Sequence, residues 1–149
     1  KDLENWSRHW GISFAFPTQF PMMTLNPLRL TLAILDQESS QVSRWINRVF
    51  TAYWAEGQNI SDIEILTQLL KETGFKHDYI NMLNDPSIKE NLKSRTSEAA
   101  AQGVCGVPTF DIDGMIVWGQ DRIPLLEKML LGWRPHCDDH PPAVLTRLG

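Results

Sequence analysis

Between residues 26 and 103 the chain carries helical periodicity and nothing that reads as a strand. Alternation of apolar and polar residues is confined to three short stretches: residues 12–16 ahead of that run, and residues 109–112 and 115–118 behind it. The order implied is helix, strand, four or five helices, strand, strand, helix. Such a chain cannot be a sandwich or a barrel. A lone hairpin is marginal by itself, so the sheet is either very small or lacks some of its strands.

Local signals sharpen this. Asp2 is expected to cap a first helix with Leu3, Trp6 and Trp10 on one face, ended by Gly11. Pro17 and Pro21 stop the strand that follows and impose an extended segment. Asn26-Pro27 is a cap with a first-turn proline, before a helix apolar nearly all round and therefore buried. Ser39 or Ser40 opens the next helix, whose stripe of Val42, Trp45, Ile46, Val49, Phe50, Tyr53 and Trp54 is expected to be core, with Trp45, Phe50 and Trp54 buried. Ser61 and Glu64 have capping-box spacing. A shorter helical piece holds Tyr79, Ile80 and Leu83, and Asn84-Asp85-Pro86 starts another helix. Asp113-Gly114 is a two-residue hairpin signal, and Asp121 is expected to cap a last helix over residues 122–131. Residues 133–149 have no period and read as a tail.

Composition excludes several classes. Lys and Arg number 14 against 18 Asp and Glu, a formal charge of −4, so no basic face invites nucleic acid or an anionic membrane. No apolar run reaches the ~18 residues of a membrane span. No secretory signal is visible, and two cysteines, Cys105 and Cys137, make no disulfide framework. A reducing, cytoplasmic setting is expected, or a mitochondrial matrix or peroxisome in a eukaryote.

Two places could carry chemistry. Gly106-Val107-Pro108-Thr109-Phe110 lies where a helix hands over to a strand. A cis Val107-Pro108 bond would turn the Val107 N–H and C=O sideways, where an extended peptide can pair with them as an added strand; a plain trans proline opening a strand is the alternative. Gly119-Gln120-Asp121-Arg122 leads from the second strand into the last helix, an anion site through free N–H groups and the helix dipole. There Asp121 either only caps, or also receives a ligand ammonium. His136, Cys137 and His140 suggest a metal, but nothing else supplies ligands at matching spacing, so no metal is expected. Cys105 lacks a Cys-x-x-Cys partner and reads as a buried or half-buried structural thiol; His9 and His77 have no visible acid or nucleophile beside them.

Taken in order, Asp2-Leu3-Glu4-Asn5-Trp6, the run Phe16-Pro17-Thr18-Gln19-Phe20-Pro21-Met22, Gly103-Val104-Cys105-Gly106-Val107-Pro108-Thr109-Phe110 and Trp118-Gly119-Gln120-Asp121-Arg122 resemble 2-hydroxychromene-2-carboxylate isomerases and kappa-class glutathione transferases, a thioredoxin-like branch related to DsbA. The resemblance spans residues 2–131 and is most specific in its last two segments. It departs at Met23, where the family usually has Asn, and at Cys105, where Phe is common.

The resemblance implies an α/β, thioredoxin-like fold split by a helical insertion. Residues 1–25 would end its N-terminal part, 26–103 form the insertion, 104–132 the C-terminal ββα and 133–149 the tail. It implies glutathione as cofactor, with Val107 before a cis-Pro108 pairing with the glutathione backbone and Gln120 and Asp121 holding its γ-glutamyl end. The serine that activates the glutathione thiol, with the first βαβ unit, is expected upstream of Lys1, leaving no catalytic residue in this chain. The implied activity is glutathione-dependent isomerisation of an aromatic-catabolism intermediate, or glutathione transfer, by a homodimer acting on a small aromatic substrate. A truncated, non-catalytic binding or assembly module is one alternative; a DsbA-like disulfide oxidoreductase with an upstream Cys-x-x-Cys is another.

Overall fold

A computed structural model describes residues 1–134, the last residues of the chain lying outside that description. The described residues divide into two compact units, the boundary falling between Thr96 and Ser97.

The first unit is helical. Helix α1 (Asp2–Trp10) ends on Gly11, whose left-handed backbone turns its N–H back to the Arg8 and Ser7 carbonyls. Lys1, not Asp2, holds the cap position, and Asp2 is simply the first acidic residue of the helix. None of its residues is buried. Residues 12–16 form no strand. The N–H of Ala15 donates to the Trp54 carbonyl (2.7 Å) and the Phe14 ring stacks on Trp54. The alternation there serves an aromatic contact with a helix end, and no strand lies alongside to build a ladder.

Helix α2 (Leu25–Glu38) starts one residue before Asn26, with Thr24 at the cap position. A short 3-10 turn (Ser39–Gln41) leads into α3 (Val42–Trp54). Helix α4 (Ile63–Glu72) is capped by Asp62, whose carboxylate accepts from the Glu64 N–H at 2.8 Å. Ser61 turns instead to the Asn59 side chain, so the anticipated capping box does not form. A 3-10 segment (His77–Asn84) precedes α5 (Pro86–Ala101).

The core gathers Leu30, Ala33 and Ile34 of α2, Trp45 and Ala52 of α3, and Leu66, Leu69 and Leu70 of α4, all fully buried. Trp45 is the largest, and its indole N–H donates to Thr31 Oγ1 at 3.0 Å. Phe50, expected in this core, is 60% exposed, and Trp54 is only half-buried. The apolar stripe of α3 is wider than the face its neighbours cover. Positions 45, 49, 52 and 53 turn inward, while 46, 50 and 54 form the flank beside them.

The second unit holds a two-stranded antiparallel sheet. Strands β1 (Thr109–Ile112) and β2 (Met115–Trp118) pair in the register Thr109 with Trp118 through Ile112 with Met115. Asp113 and Gly114 both have positive φ, as a tight two-residue hairpin demands. Phe110, Ile112, Met115 and Val117 share the half-buried face; Ile116 and Trp118 lie on the other and are exposed. After a 3-10 turn (Gln120–Arg122), helix α6 (Ile123–Leu130) packs on β1 and buries Leu126 and Met129. Arg134 bonds both the Met129 carbonyl and the Asp113 carboxylate, tying the end of α6 to the hairpin turn.

Candidate functional site

The two segments singled out from the sequence meet in the second unit. The Val107-Pro108 bond is cis. Val107 is 88% exposed, and its main-chain N–H and C=O have no partner among the described residues. Thr109 Oγ1 donates to the Gly106 carbonyl and fixes the entry to β1. On the far side of the hairpin the Gly119 N–H donates to the Pro108 carbonyl at 3.0 Å. That bond extends the strand register by one step and sets the Gly119–Arg122 turn directly beside Pro108.

Gly119 has φ 112°, a value that side-chain-bearing residues rarely adopt. A Cβ built there would collide with Asp121 Oδ1, so the carboxylate sits where only a glycine leaves room. Gln120 and Asp121 are exposed, and Arg122 Nη1 stands 3.8 Å from Asp121 Oδ2. Asp121 does not cap α6. The cap position falls to Arg122, and Pro124 at the second helical position has no N–H for a capping side chain to accept from. The exposed Asp121 carboxylate thus faces Arg122 and solvent rather than the helix start, and a ligand cation would share it with Arg122.

One contact was invisible from the motifs. The Trp118 indole lies against Gly106, its Nε1 2.9 Å from where a Cβ on Gly106 would be. Gly106, Val107, Pro108, Trp118, Gly119 and Asp121 therefore form one connected surface, backed by the hairpin. Cys105, just before it, is a free thiol and is exposed rather than buried as expected, because it lies in the open turn between α5 and β1 and no described element covers it. His136, Cys137 and His140 lie outside the described residues; among the described residues no group of His, Cys, Asp and Glu could hold a metal.

The first unit presents a second surface. Tyr53 donates its hydroxyl to the Gln19 carbonyl (3.2 Å), and Phe20 lies 6.3 Å from the Trp54 ring, holding the segment 16–22 on the end of α3. The Phe20-Pro21 bond is also cis, which the motif reading did not anticipate. Phe16 and Phe20 remain exposed.

The chain is 29% identical over 136 residues to a 2-hydroxychromene-2-carboxylate isomerase of Pseudomonas putida, covering 87% of this chain and 62% of that protein. It is 27% identical over 143 residues to glutathione S-transferase kappa 2 of Caenorhabditis elegans, covering 87% and 64%. Each match takes in less than two thirds of the relative's length. Among solved structures, a 2-hydroxychromene-2-carboxylate isomerase superposes with TM-score 0.76 at 24% identity, over 87% of this chain and 62% of the other. The cytosolic disulfide reductase DsbM of Pseudomonas aeruginosa, solved with glutathione, superposes with TM-score 0.63 at 18% identity, over 86% and 73%. The family model for the DSBA-like thioredoxin domain matches residues 1–131, and the chain belongs to that family.

Proposed function

We propose that the chain supplies the glutathione cradle and the helical substrate wall of a glutathione-dependent enzyme, an isomerase of the 2-hydroxychromene-2-carboxylate type or a kappa-type transferase. The observation that carries this reading is the Gly119 N–H···O=C Pro108 bond, which joins the segment holding the unpaired main chain of Val107 to the turn that carries Asp121. Glutathione offers a matching pair: a peptide that can add to Val107 as a short strand, and a γ-glutamyl ammonium for Asp121 and Gln120. In the family the chain resembles, a serine activates the glutathione thiol. Residues 1–25, 26–103 and 104–132 would be thioredoxin part, helical insertion and thioredoxin part.

In the isomerase reading the glutathione thiolate adds to a conjugated carbon of the substrate. The electron pair moves onto the carbonyl oxygen, the bond that was double rotates, and collapse of the enolate expels the thiolate unchanged. A homodimer in the cytoplasm belongs to the same proposal.

The test is to titrate glutathione into the protein by calorimetry and to assay isomerisation of 2-hydroxychromene-2-carboxylate with and without glutathione. Binding that weakens about tenfold or more in Asp121→Ala is expected, and isomerisation, where it occurs, is expected only in the presence of glutathione. Turnover indifferent to glutathione, or binding indifferent to Asp121, would overturn the proposal.

A further inference from the structure

Arg29, on the second turn of α2, is the unexplained cation of the first unit. Its Nε is buried and without a hydrogen-bond partner, and the side chain makes no ion pair among the described residues. A buried guanidinium N–H left unmade costs more than most single contacts contribute. The residue as a whole is only partly buried, so part of the side chain reaches the surface.

Its surroundings follow from helix geometry. Leu25 and Asn26 stand one turn before it and Leu32 and Ala33 one turn after. Long helical side chains lean toward the N-terminus of their helix, so Arg29 reaches back over the turn of Leu25. Leu25 and Leu28 there are 43% and 45% exposed, and Met23 just ahead is more exposed still. That first turn carries no acidic residue and its cap position makes no side-chain hydrogen bond, so no carboxylate of that turn competes for the cation. The result is an apolar surface with one unsatisfied forked donor at its edge. The complement is a flat apolar molecule ending in a carboxylate, since a carboxylate takes two N–H groups of a guanidinium in parallel.

We propose that Arg29 is the anchor for the carboxylate of the aromatic substrate, with Leu25, Leu28 and Met23 against its ring. This rests on the isomerase reading above for the substrate class, and it assigns a specificity-determining residue in the first unit, apart from the glutathione cradle. Glutathione also bears carboxylates, and the test separates the two sources.

The probes are 2-naphthoate, 2-naphthamide and glutathione, each titrated by calorimetry into the protein and into its Arg29→Gln and Arg29→Lys forms, with thermal unfolding as a check on folding. The expected result is that 2-naphthoate binds the unmodified protein about 10- to 100-fold more tightly than 2-naphthamide. Arg29→Gln abolishes that preference, Arg29→Lys restores part of it, and glutathione affinity does not change. No preference for naphthoate in the unmodified protein overturns the proposal even if both variants fail to fold. So does a preference that survives in Arg29→Gln, or a loss confined to glutathione. These titrations involve no turnover, so a protein that binds naphthoate through Arg29 yet lacks glutathione-dependent catalysis refutes the isomerase reading alone.

Discussion

The Trp118 indole occupies the space that a side chain on Gly106 would need: Nε1 lies 2.9 Å, and Cε2 3.2 Å, from the Cβ position. Gly106 is required here for close approach rather than for backbone freedom. Gly106→Ala should drive the indole off its seat. Because Trp118 is 57% exposed, it can swing outward, so the cost is expected at the low end of overpacking, about 1 kcal/mol. Tryptophan fluorescence should shift, and glutathione binding should weaken because Val107 is the next residue. An unchanged spectrum and affinity would show that the contact does not shape the site.

Gly119→Ala should be more damaging. Two constraints coincide: the positive φ, and the Asp121 carboxylate standing where the new Cβ would fall. Strain of this kind costs about 1–3 kcal/mol. A denaturant titration should show it, and the displaced carboxylate should weaken glutathione binding beyond the effect of Gly106→Ala. Asp121→Ala in the Gly119→Ala background should recover little of the lost stability, because the exposed carboxylate can swing aside and the φ strain remains.

In the core, Thr31 links two groups: its hydroxyl accepts from the Trp45 indole at 3.0 Å and donates to the Pro27 carbonyl at 2.8 Å. Thr31→Val keeps the shape and strands a fully buried indole N–H. The expected loss is about 1–3 kcal/mol in urea unfolding. Trp45→Phe in the same background should recover part of the hydrogen-bond penalty while adding a packing defect, so the two changes should not be additive.

The sequence was most legible where one local rule acts alone. Asp113-Gly114 specifies its turn without help from distant residues, and both strands fall as the alternation indicates. The two segments joined at the hairpin, Val107-Pro108 and Gly119-Gln120-Asp121, were legible for the same reason, since each is a contiguous motif. Competition between neighbours was not legible. Ser61 and Asp62 both suit a helix cap, and the choice turned on Asn59, which engages Ser61. Phe50 belongs to an apolar stripe by period, yet burial depends on how far the covering helices extend. Residues 12–16 alternate like a strand, but a strand needs a partner, and here the partner is the carbonyl at the end of α3. Arg29 gave no signal at all, because an orphaned N–H is a property of three-dimensional surroundings.

Tyr79 provides a pH dependence with a definite sign. It is almost wholly buried, stacked edge-on against Phe75, and its hydroxyl donates to Glu38 Oε1 at 2.8 Å. Burial, and after it the Glu38 carboxylate, push the phenol from 10.0 to about 12. The folded state therefore holds the phenolic proton more tightly than the unfolded chain does. Its contribution to stability is complete below about pH 10 and is lost as pH rises toward 12, by about 2–3 kcal/mol at most. Urea midpoints across pH 9 to 12 should fall faster for the unmodified protein than for Tyr79→Phe, which has no proton to lose. Glu38→Gln should lie between them, because it removes the carboxylate but leaves the larger effect of burial. Parallel curves for all three would mean that Tyr79 ionises in the folded protein as readily as in the unfolded chain, and would contradict the buried, hydrogen-bonded phenol.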